Sequence, residues 1–160
     1  MFTNEQYTFL VKKYIDMVYR IALNYLKNSA DAEDICQNVF LKLLTEKNGF
    51  QSDEHLRNWL VRVTINECKK MLRSPWHRRE SLEDQIPSMV FSDTRHSDVY
   101  DAVMALPVHY RVPLYLHYYE GYSTDEIGRI LSLPGATVRT RLRRARQLLQ
   151  KELEEALENV

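Results

Sequence analysis

The chain has 160 residues, 44% of them apolar and 28% charged, with four glycines, five prolines and 22 basic residues balanced by 22 acidic ones. That length holds one ordinary domain or two small ones. The apolar share supports a packed core, and so few glycines and prolines argue against an all-β protein. Zero net charge excludes a protein that binds polyanions by bulk charge. No stretch approaches the roughly 18 apolar residues of a membrane span, and MFTNEQYTFLVKK lacks the basic-then-apolar order of a signal peptide. The expected place is the cytoplasm, without membrane insertion.

From Thr3 to about Lys27, Tyr7, Leu10, Tyr14, Val18, Ile21 and Tyr25 recur at spacings of three and four, which predicts one long amphipathic helix. Thr3 and Gln6 form the ends of a capping box. A second helix is expected from Ser29 or Asp31, with Asp31, Glu33 and Asp34 at its positive end. It carries Ile35, Val39, Phe40, Leu43 and Leu44 inward and stops at Asn48-Gly49. After a polar loop, a third helix buries Leu56, Trp59, Leu60, Val63 and Met71 and ends at Ser74-Pro75.

The period then fails. Residues 76–96 mix charge, polar groups and Pro87 in a stretch longer than compact domains tolerate. The expected division is therefore a domain over 1–75, a flexible linker over 76–96 and a second domain over 97–160. Ser97 can cap a fourth helix to Leu106. Pro107 opens a fifth helix running to about Tyr119, with a bend expected at Pro113.

Ser123-Thr124-Asp125-Glu126 is a second capping box, followed by Ile127, Ile130 and Leu131. Leu133-Pro134-Gly135 ends this short helix, and another begins near Ala136 with Val138, Leu142, Ala145 and Leu149 on one face. Two helices joined by such a turn are the parts of a DNA-binding helix-turn-helix. Five arginines fall between Arg139 and Arg146 with no acid among them. Arg139, Thr140, Arg143 and Arg144 face outward there, where arginine can pair with a guanine edge or clamp a phosphate. Cys36 and Cys68 have no zinc spacing and sit in apolar stretches, so reduced buried thiols are expected, with a redox pair as the alternative. No catalytic set, metal cluster or glycine-rich phosphate loop is visible, and neither a cofactor nor a metal is expected.

Residues 102–149 resemble region four of the extracytoplasmic-function sigma factors of bacterial RNA polymerase. The residues that carry this are Leu106-Pro107, Arg111, Glu120 to Ser123, Glu126-Ile127, Pro134, Thr137-Val138-Arg139 and Arg144-Ala145-Arg146. The N-terminal half is similar to region two of the same family, through Asp31 to Ile35 with Gln37, Val39 and Phe40, and through Trp59 to Asn66. Three departures stand out. Asn38 lies where the family usually has an acid, the glycine of its Pro-x-Gly-Thr turn stands one residue early at Gly135, and the loop between Gly49 and Trp59 is short.

The resemblance implies an all-α protein of two small helical domains, a three-helix bundle and a helix-turn-helix. It implies core RNA polymerase and promoter DNA as partners, an anti-sigma protein as a candidate regulator, and a free monomer. Asp34 and Gln37 would dock polymerase. Asn66 would meet a base of the melted minus-ten element, with Arg62, Lys69, Lys70 and Arg73 on phosphates. Thr137, Arg139, Thr140, Arg143 and Arg144 would hold the minus-thirty-five duplex. The rivals are a stand-alone helix-turn-helix repressor or activator, which would dimerise on palindromic sites, and an adaptor that no longer reads DNA.

Overall fold

The Thr3 hydroxyl accepts from the Gln6 amide, and the Gln6 side chain accepts from the Thr3 N–H, so the first helix opens with both halves of its capping box satisfied. The computed structural model describes residues 2–75 and 98–158. Among these are seven helices and no strand: α1 (Asn4–Leu26), α2 (Ser29–Thr45), α3 (Asp53–Arg73), α4 (Asp98–Ala105), α5 (Val108–Tyr118), α6 (Thr124–Leu131) and α7 (Gly135–Glu158). Contacts divide the chain into two units, Met1–Ile86 and Pro87–Val160. The stretch assigned to a linker, residues 76–96, and the Ser97 cap lie outside the described residues.

In the first unit α1, α2 and α3 all pack on one another. Val18, Ile21, Ile35, Val39, Leu43, Leu60, Val61 and Ile65 are fully or almost fully buried between them, each contributing about 1.5–3 kcal/mol over an exposed side chain. Tyr7 ties α1 to α2 by donating its hydroxyl to the Phe40 carbonyl at 2.7 Å.

Two expectations need correction here. α2 ends at Thr45, not at Asn48-Gly49. The Thr45 hydroxyl turns back towards the helix, its single proton shared between the Leu41 and Lys42 carbonyls at 3.2 Å each. Glu46 then leaves in an extended conformation, and Gly49, at φ 66°, serves the following turn. The buried face of α3 is also rotated from the predicted one. Because α3 faces both other helices, Val61, Thr64, Ile65 and Cys68 are buried with Leu56 and Leu60, while Trp59, Val63 and Met71 remain half-buried. Leu44 likewise stands exposed.

In the second unit α7 is the spine, touched by α4, α5 and α6. α5 runs unbroken through Pro113, and beneath it the buried Arg111 donates to the Leu106 carbonyl at 2.6 Å. The Ser123 capping box forms as read, with Glu126 returning to the Ser123 N–H. The left-handed residue closing α6 is Ser132, at φ 58°, rather than a glycine. Its polar side chain is exposed, and the Leu133 N–H bonds to the Gly128 carbonyl at 2.8 Å.

That tight closure needs glycine at 128. A Cβ there would sit 2.6 Å from the Leu133 carbonyl oxygen, a backbone atom that moves only with the turn. Gly128→Ala would otherwise gain up to about 1 kcal/mol of helix propensity. Overpacking of this kind costs about 1–3 kcal/mol, so a net loss of stability is expected in denaturant unfolding. A variant as stable as the parent would show that the turn yields freely.

Candidate nucleic-acid interface

The apolar stripe of α7 turns Val138, Leu142 and Ala145 into the unit and fixes which residues face out. Arg139, Arg143 and Arg144 are exposed, with Thr137 and Thr140 half-buried among them. Arg139 and Arg143 lie one turn apart, as do Thr140 and Arg144, so the helix presents two adjacent rows of donors near its N-terminal half. All five predicted residues therefore share one surface.

Two neighbours of this surface were not foreseen. Asp125 of α6 brings its Oδ1 to 3.9 Å from Arg139 Nη1, so the cluster does have an acid, supplied by the preceding helix rather than by its own. Arg146 donates to the Tyr118 hydroxyl at 3.0 Å across the α5–α7 pair. Neither is visible in local spacing, because each partner comes from another helix.

On α3, Arg62, Asn66 and Arg73 are exposed and Lys69 is half-buried. Steps of four, three and four keep them on one side of the helix. Lys70 is exposed beside them. Glu67, the residue after Asn66, is buried and meets Lys42 Nζ of α2 at 3.5 Å, which keeps its carboxylate away from the basic side. Ahead of this row, Trp59 packs edge-on against Phe50 at 5.3 Å, and Phe50 also meets Phe2 and His55. Trp59 is thus a partly open aromatic at the helix start instead of a core residue.

Asp34 and Gln37 are exposed on α2, one turn apart, and their neighbours Ile35, Val39 and Phe40 are buried as the apolar period requires. Asn38 and Leu41 are exposed alongside them, Leu41 at 58%. The Leu41 exposure could have been read from its place on the Asp34–Gln37 side of the helix.

Cys36 and Cys68 are free, buried thiols. Burial first, then Glu33 and Asp16, pushes Cys36 up to about 12. Burial, then Cys36 and Glu67, raises Cys68 as well. Thiols held protonated in this way are poor nucleophiles. An unfolded thiol ionises near ~8.5 while the folded ones keep their protons, so this contribution to stability is intact below that pH and declines as pH rises towards 12. Denaturant midpoints should therefore fall above about pH 9, and fall less steeply in Cys36→Ala with Cys68→Ala. Equal slopes in parent and variant would contradict it. No group of side chains able to hold a metal occurs among the described residues, and no helix there is long and apolar enough to cross a membrane.

These features define a two-unit helical protein with a helix-turn-helix and two outward basic helix faces, the build of a DNA-binding regulator. The family model for sigma-70 region 2 matches residues 10–78, and that for sigma-70 region 4 matches residues 96–149. The chain belongs to the sigma-70 family, among the extracytoplasmic-function (ECF) RNA polymerase sigma factors. It is 30% identical over 166 residues to the ECF RNA polymerase sigma factor SigW of Bacillus subtilis, covering 90% of this chain and 87% of that protein. It is 34% identical over 155 residues to SigE of Mycolicibacterium smegmatis, a match spanning 90% of this chain and only 60% of that longer relative. Among solved structures, the sigma factor RpoE, crystallised with the anti-sigma factor NepR from Bartonella quintana, aligns with a TM-score of 0.74 at 21% identity, over 92% of this chain and 96% of that one. CnrH, solved with the cytosolic domain of CnrY, aligns at 0.67 and 20% identity, over 96% and 90%. Both share the fold.

Proposed function

We propose that this sigma factor docks on core RNA polymerase through Asp34 and Gln37, holds melted promoter DNA along Arg62, Asn66, Lys69 and Arg73, and reads the upstream duplex with Thr137, Arg139, Thr140, Arg143 and Arg144. The observation that carries this reading is that every one of these side chains is at least partly open to solvent, and each group shares one side of its helix. Single-stranded DNA wants a basic track with a base-edge reader, which α3 offers through Asn66. Duplex DNA wants arginines on a helix that fits the major groove, which α7 offers.

On this reading the protein has no chemistry of its own. It directs polymerase, and it works in the cytoplasm where polymerase is. The working division is 1–75 for polymerase and melted DNA, 76–96 as linker and 97–160 for duplex; it is supported by the split into two units and by family matches that begin and end near those positions. Expressing 1–75 and 97–160 separately tests it, since each should melt cooperatively alone. An anti-sigma protein is a fitting regulator, because the polymerase and DNA faces are open in the free chain. A stand-alone repressor or activator would leave the Asp34–Gln37 surface without a purpose.

The reading is tested by permanganate footprinting of promoter DNA. With core polymerase and this protein together, thymines near the start site should become reactive. Neither component alone should open them, and reactivity independent of this protein would refute the reading.

A further inference from the structure

We propose that Asp125 is a positioning residue for Arg139, holding its guanidinium for the upstream duplex, and that glycine at position 135 makes this arrangement possible. The inference rests on the reading of α7 as the helix that meets duplex DNA. Asp125 is the second residue of α6, and its Oδ1 lies 3.9 Å from Arg139 Nη1 at the start of α7. A Cβ built on Gly135 would fall 2.7 Å from that same Oδ1 and 3.3 Å from that same Nη1. Carboxylate and guanidinium thus meet in space that any other residue would occupy.

Stability is not what the pair supplies. The side chains are 61% and 75% exposed, and ion pairs so open to water contribute little to folding. What the pair changes is where Arg139 points. A free arginine loses several rotamers when it binds. A carboxylate that engages one edge of the guanidinium restricts those rotamers beforehand and leaves other N–H donors for a guanine edge. The same negative charge repels phosphates, so Asp125 weakens indiscriminate binding while sharpening the choice of base. Asp125 also lies near the α7 N-terminus, where negative charge is favourable.

The test uses holoenzyme assembled from the full chain and bacterial core polymerase. It is selected against randomised duplex DNA, and the bound fraction is sequenced. Arg139→Ala should flatten the preference at one base position. Asp125→Asn should weaken preference at that same position about two- to fivefold, leave other positions alone and raise binding to non-cognate duplex. In the Arg139→Ala background it should change that position no further. Gly135→Ala, whose methyl crowds the flexible ends of Asp125 and Arg139, should likewise weaken preference at that position with an unchanged melting temperature. If Arg139→Ala flattens the position and Asp125→Asn does not, the positioning role is wrong while the reading of α7 survives. If Arg139→Ala flattens nothing, Arg139 does not read bases and the positioning role falls, while α7 as a whole is judged by the variant lacking Arg139, Arg143 and Arg144 together.

Discussion

Replacing Arg139, Arg143 and Arg144 together by alanine is expected to remove upstream recognition while leaving the fold intact. All three are exposed, and the residues that hold α7 in place, Val138, Leu142 and Ala145, are untouched. A base-reading arginine is worth about 1–3 kcal/mol at its position, so the loss of three contacts should weaken holoenzyme binding to a cognate promoter by about 100-fold or more. The single variants should separate the roles. A base contact shows itself as relaxed preference at one position. A phosphate contact weakens all sequences alike and lowers the salt slope by about one. Filter binding across a salt series measures both, with thermal melting as the control. Unchanged binding and unchanged promoter choice in the triple variant would remove α7 from the account.

The second large effect is expected at α2. Asp34→Ala with Gln37→Ala should impair capture of core polymerase without unfolding the chain, because both side chains are exposed and the buried side of the helix is supplied by Ile35, Val39 and Phe40. Truncating residues at the centre of an interface costs about 2 kcal/mol or more at those that matter, so a loss of at least about 30-fold in affinity is the expected scale. Pull-down with purified core measures it. Normal capture alongside a normal melting curve would place the docking surface elsewhere.

Much of this was legible in the sequence, for reasons that differ from element to element. Both capping boxes, Thr3 with Gln6 and Ser123 with Glu126, formed as their spacing required, since cap and helix start are local events a few residues long. The outward set on α7 followed from the apolar stripe of Val138, Leu142 and Ala145, which fixes the opposite face by geometry alone. The side of α3 that is buried was harder to read. A helix in contact with two partners buries a wide arc, so period alone did not separate Trp59 and Val63 from Val61 and Thr64. The end of α2 was misplaced because Gly49 is a strong stop signal, but Glu46 already leaves the helix in an extended conformation, its N–H closing on the Leu43 carbonyl. The Asp125–Arg139 and Tyr118–Arg146 contacts join different helices and leave no trace in local sequence.

The central claim is that this chain directs polymerase to particular start sites, and run-off transcription tests it most directly. Core polymerase with added protein should yield discrete transcripts from a subset of promoter fragments, at sites that core alone does not use. Those transcripts should disappear with the Asp34/Gln37 double variant and with the arginine triple variant. If the protein instead leaves core transcription unchanged and binds palindromic duplexes as a dimer without polymerase, it is a stand-alone regulator and the account fails.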